Sequence, residues 1–153
     1  MSSLGERAYQ RLANHLGETE CFWQSNDVVD WATGHWVYSI KEKQLDWASG
    51  AVSTAYLEAG SIDIKFIGTT TLKGLFRGIQ TLGKLYIKEL YPTVVPERGD
   101  IVFFGNNTCL QQVGLIDHYN KLTNEFYSLE GDCKHRIHRV FRNNYYAIGK
   151  IIY

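Results

Sequence analysis

The chain reads as a single α+β domain, with helices first and an antiparallel sheet second. Three observations predict this. Apolar residues recur at helical spacing in the first half. After Pro96 the apolar runs become short and are separated by turn residues. Helices followed by strands, rather than alternating with them, is the α+β order. The 153 residues suffice for one domain with a real core, and no repeat, low-complexity stretch or second domain interrupts them.

Leu4, Ala8, Leu12 and Leu16 fall on one face, so the first helix spans Leu4–Leu16. Gly17–Asn26 reads as a turn region. Val28–Lys43 carries Trp31, Trp36 and Tyr38 and is ambiguous between helix and strand. In the stretch LDWASGAVSTAYLEAG, an amphipathic helix is expected over Trp47–Ala59. Its buried face would be Ala51, Val52, Ala55, Tyr56 and Ala59, and Gly60 is its C-terminal stop. Leu72, Leu75, Phe76, Ile79 and Leu82 predict a third helix over Thr71–Gly83. The strands then follow as ERGDIVFFGN, QQVGLIDHYN, NEFYSLEGD, KHRIHRVFR and YYAIGKIIY, with Lys121–Asn124 as one connecting turn.

Sixteen basic and sixteen acidic residues give a net charge of zero, so the electrostatic footprint of a nucleic-acid binder is missing. The basic run Lys134–Arg142 alternates as a strand with one charged face would. No apolar window approaches the ~20 residues of a membrane span. The N-terminus is amphipathic and mixed in charge, unlike a signal peptide, so synthesis in the cytoplasm is expected. Three cysteines, Cys21, Cys109 and Cys133, form no disulfide framework. Ten Tyr, seven Phe and four Trp either fill the core or line a groove for sugars or peptides. No cofactor is expected. Cys133, His135 and His138 are metal-ligand types, but alternate residues of one strand point to opposite faces, so no metal site is expected.

Three fragments in order, DWASGAVSTAYLEAG, PERGDIVFF and QQVGLIDHYNKLTNEFYSLEGD, resemble the NlpC and CHAP branches of the papain-like cysteine peptidase and amidase superfamily. Those proteins open a helix with a Trp-Cys or Asp-Cys-Ser-Gly element. A Pro-x-x-Gly-Asp-Ile-Val-Phe-Phe strand follows, then a Gly-His-Val-Gly-Ile strand and one ending in Glu-Gly-Asn or similar. The likeness covers Val28 to Tyr153, and PERGDIVFF is its most specific piece. It implies a papain-like fold with the N-terminal helices packed on the C-terminal sheet.

It also implies a chemistry. A thiolate at a helix N-terminus attacks an amide, a strand histidine shuttles the proton, and a third polar residue orients the imidazole. Carried over residue by residue, the nucleophile position is Ala48, the histidine position is Gln112, and the orienting position is Glu130, with Asp132 nearby. Asp46, Trp47, Ser49 and Gly50 are the matching substrate-binding surround. Two of the three catalytic positions cannot do the chemistry, so the chain as given is expected to be inactive. Ala48, Gln112 and Glu130 are expected within about 10 Å of one another at one end of a groove, as a hydrogen-bonded set requires. A one-residue slip of the strand would put Gln111 there instead.

Substitutes are poorly placed. Cys109 lies on the wrong element. His118 is six residues beyond Gln112, about 20 Å along a strand. Ser49 has no base beside it and is expected to cap the helix. Two accounts of Ala48 and Gln112 stay open. A cysteine hydrolase was disarmed, or the protein is a natural pseudoenzyme that keeps the fold for binding or structure. The resemblance implies a substrate class, the peptide stem or cross-bridge of bacterial peptidoglycan. It further implies action at the cell wall after delivery by a phage or a secretion machine, with an immunity or delivery protein as partner.

Overall fold

The computed structural model describes residues 3–17, 28–30, 35–37, 47–61, 71–131 and 137–151. Within them the protein is α+β. Three helices, α1 (Leu4–Ala13), α2 (Trp47–Glu58) and α3 (Leu72–Thr81), accompany eight strands. β1 (Val28–Asp30) and β2 (His35–Val37) form a two-stranded ribbon in the segment whose sequence is ambiguous. The other six are β3 (Leu85–Ile87), β4 (Ile101–Gly105), β5 (Leu110–Asn120), β6 (Glu125–Glu130), β7 (His138–Arg142) and β8 (Ala147–Gly149). They make one antiparallel sheet in the order β3-β8-β4-β5-β6-β7.

The helix ends have local causes. Ser3 caps α1 by accepting the Glu6 N–H at 3.1 Å, and Thr71 caps α3 by accepting the Gly74 N–H at 3.0 Å. Gly60 closes α2 with φ +97°, a left-handed backbone that costs glycine little. α1 ends at Ala13, a turn earlier than the leucine spacing predicts, and Leu16 is left exposed.

α2 departs from expectation in a more informative way. Ala48, Ser49, Ala51, Val52, Ser53, Thr54, Ala55 and Tyr56 are all buried, so these side chains leave the helix no solvent-facing side over two turns. Its run of Ala and Ser side chains permits close approach. α2 packs against α1, β5 and β6 at once. Burying Val52 contributes about 2 kcal/mol on the scale for aliphatic side chains.

The sheet has two apolar faces. Ile101 and Phe103 of β4, Val113 and Leu115 of β5, and Leu129 of β6 join the helices in the main core. Val102, Phe104, Ile116, Phe126 and Ile148 point the other way into a second cluster with Tyr145. On that second face the Arg142 guanidinium lies 4.1 Å from the centre of the Phe104 ring. β7 and β4 are three strands apart, roughly 14 Å in a flat sheet. The sheet is therefore curled, and this face is its concave side. Residues 143–146 cross from β7 at one edge to β8 in the interior. They lay Tyr145 over Phe126 and Tyr119, with ring centres 6.3 and 6.5 Å apart.

Candidate functional site

At the start of α2, Ala48 is 1% exposed and belongs to the apolar cluster shared with Val113, Leu115 and Leu129. Trp47 is the first helical residue, and Asp46 lies outside the described residues. Ser49, expected at the cap, is instead the third residue of the helix and is buried, so it cannot occupy a capping position. Gly50 is partly exposed.

Gln112 does not share this space. It pairs directly opposite Phe104, and directly opposed residues of an antiparallel pair point to one face. Phe104 faces the concave side, so Gln112 does too, while Val113 takes the helix side. The Gln112 side-chain oxygen accepts the neighbouring Val113 N–H at 3.0 Å. Gln111, the alternative by a one-residue slip, is exposed and falls where the register shifts after Phe104.

Glu130 is on the concave side as well. It is fully buried and accepts two hydrogen bonds from Arg142, from Nε at 2.9 Å and from Nη2. The pair tolerates burial because its geometry is bidentate. Gly114 makes room for it. A Cβ there would lie 2.3 Å from Ser128 Oγ and 2.7 Å from Glu130 Cγ. The expected grouping of Ala48, Gln112 and Glu130 therefore does not form. The pleat puts the first on one face of the sheet and the other two on the opposite face, and Glu130 binds a guanidinium rather than orienting a base. Asp132 lies outside the described residues.

The concave face does hold Ser128 and His138, a hydroxyl and an imidazole. Ser128 Oγ and His138 Nε2 are buried and have no hydrogen-bond partner. They are not bonded to each other, so they are not a nucleophile with its base. His118 is exposed on the far half of β5, opposite Tyr127.

The PERGD turn before β4 is structural. Gly99 has φ +88°, and a Cβ on it would sit 1.9 Å from the Gly5 carbonyl oxygen of α1. Only glycine lets the turn and the helix touch there. The Tyr56 hydroxyl donates to the Gly99 carbonyl, which ties α2 to the same turn. Asp100 accepts the Glu97 N–H at 2.8 Å and the Lys150 ammonium at 2.6 Å. Burial pushes the Asp100 carboxyl up to about 6, against the opposing pull of Lys150.

A cleft of about 400 Å³ opens between α3 and the turn that joins β4 to β5. Lys73, Arg77 and Gln80 line one wall, and Asn107, Thr108 and Cys109 the other. Asn106 holds that turn by accepting the N–H groups of Thr108 and Cys109, each at 2.9 Å. Phe76 and Tyr146 contribute aromatic surface, stacked with centres 5.9 Å apart. The sequence signal for this cleft was the spacing of Lys73, Arg77 and Gln80 at i, i+4 and i+7, one helix face.

Among the described residues, no group of three His, Cys, Asp or Glu side chains is placed to hold a metal ion; Cys133 and His135 lie outside them. No described helix is long and apolar enough to cross a membrane. Against known proteins, no family model matches the chain, and neither a curated protein nor a solved structure does.

Proposed function

We propose that the protein is a binding module of the NlpC/CHAP type that holds a peptidoglycan peptide stem or cross-bridge without cutting it. The resemblance of the DWASG, PERGDIVFF and QQVGLI segments supplies the family and the ligand class. The observation that carries the non-catalytic half is the split of Ala48 from Gln112 and Glu130 across the sheet. A thiol at 48 would be sealed among apolar side chains, and an imidazole at 112 would rise from the other face. Action at the wall after delivery by a phage or secretion machine belongs to the same reading.

The second reading, a disarmed hydrolase, draws on one specific feature. Trp47, Ser49 and Gly50 still frame position 48 as they would frame a cysteine. One experiment separates the two. The unaltered chain is sedimented with purified, insoluble peptidoglycan, and the double variant Ala48→Cys/Gln112→His is assayed for release of new amino groups from it. The binding reading expects co-sedimentation and no release. Sustained release by the double variant restores the hydrolase, and failure to sediment removes the wall as ligand.

A further inference from the structure

We infer that the cleft between α3 and the β4–β5 turn is a ligand site for a short peptide bearing a free side-chain carboxylate. This deepens the binding-module reading and rests on it for the peptide class, while the cleft itself is argued from its own chemistry.

The charge pattern comes first. Lys73 and Arg77 stand four residues apart on α3, where like charges repel and weaken a helix by a few tenths of a kcal/mol. Neither has an acidic partner among the described residues, and no Asp or Glu lines the cleft. In a chain with equal numbers of acids and bases, this is a local positive site left uncompensated. An arriving carboxylate relieves the repulsion and matches the planar fork of arginine in two parallel hydrogen bonds.

The remaining lining selects a peptide over other anions. Gln80, Asn107 and Thr108 offer amide and hydroxyl groups on both walls, able to give and take hydrogen bonds with peptide units. Phe76 and Tyr146, buttressed edge-on by Phe103 at 5.2 Å from Phe76, present a firm apolar surface for small side chains. The volume is in the range of pockets that enclose small ligands. Two cations are too few to track a nucleic-acid backbone, whose binders neutralise on the order of six to ten phosphates.

Cys109 gives the test its readout, because its thiol is exposed and lines the cleft. The probe is the synthetic tripeptide Ala-Glu-Ala with blocked ends, and its control is Ala-Gln-Ala. Iodoacetamide modification is followed at Cys109 by peptide mass mapping of the whole chain. The expected result is slower modification, by threefold or more, with the acidic peptide at millimolar concentration and little change with the neutral one. Lys73→Glu/Arg77→Glu should weaken the protection about tenfold. Asn107→Asp, on the facing wall and outside α3, should weaken it in the same direction. It serves as the check if the double reversal disturbs the helix, which thermal melting reports. Equal protection by both peptides, no protection by either, or full protection in Asn107→Asp overturns the assignment. If both the unaltered chain and the reversed variant sediment with peptidoglycan, the binding module stands and this cleft is not its site. If the acidic peptide protects Cys109 but the chain ignores peptidoglycan, the cleft stands and the wall is not the source of its ligand.

Discussion

The two faces of the curled sheet are built on different principles. On the helix side, apolar strand residues meet α2, whose small side chains let it lie close, and the polar atoms that α2 buries are the uncharged hydroxyls of Ser49, Ser53, Thr54 and Tyr56. On the concave side, a second apolar cluster surrounds a buried ion pair, Glu130 with Arg142, and the buried polar atoms of Ser128 and His138. Cysteine hydrolases need a helix N-terminus and a strand base on one face, so that thiol and imidazole meet. Here the helix N-terminus has the first face, and Gln112 and Glu130 have the second. In this α+β domain Ala48 thus stands apart from Gln112 and Glu130, on the other face of the sheet, where no proton could pass between them.

The largest test of the contrast is Arg142→Ala. It strands a fully buried carboxylate, whose loss of partner costs ~2–4 kcal/mol, allowing for the partial exposure of the guanidinium. Glu130→Gln removes the buried charge and keeps an acceptor, and should cost clearly less. Urea unfolding of the two variants measures the difference. Equal costs would mean that the pair is solvated and that the concave face is not a core.

Next is Asp100, beside the turn that both faces share. Its folded pKa of about 6 lies above the ordinary carboxylate value of 3.8. The stability tied to the protonated group is thus fully present below about pH 4 and is lost as pH rises through about 6. The loss is about 3 kcal/mol at the standard rate of ~1.4 kcal/mol per pKa unit. Unfolding measured at pH 4 and pH 7.5 should show this fall in the unaltered chain relative to Asp100→Asn. Parallel pH profiles would show that Lys150 compensates the carboxylate in full.

The smallest effect is expected on the helix side. Tyr56→Phe leaves the buried Gly99 carbonyl without its side-chain donor, at ~1–2 kcal/mol. Denaturant midpoints suffice to check it. A cost matching that of Arg142→Ala would erase the distinction between a face that buries uncharged hydroxyls and one that buries a full ionic charge.

Much of this architecture was legible in the chain. The spacing of Leu72, Leu75, Phe76 and Ile79 marks α3 to within a residue or two, and the turn residues divide β4, β5 and β6 correctly. The facing of Gln112 was not legible, for a physical reason. Ile101, Val102, Phe103 and Phe104 are all buried, so β4 has no polar alternation to reveal which side meets the helices. The register shift at Gly105, with φ +130°, adds a displacement whose size a lone glycine in a strand does not specify. β3 was missed because Leu85–Ile87 is three residues flanked by lysines, too short for a periodicity. The cleft was missed because its walls come from elements about thirty residues apart, joined only by the fold.

The position of β8 has a consequence for how the molecule forms. It follows the seven other strands in the chain, yet it sits between β3 and β4 and pairs with both. β3 waits some sixty residues for its neighbour, and such distant pairings are slow because the intervening chain must first give up its freedom. During synthesis, β4 would present an open apolar edge until residues 147–149 emerge, an invitation to pair with another nascent chain. Tyr145 and Tyr146, which enter just ahead of β8, would then act as the clasp that ends this vulnerable interval.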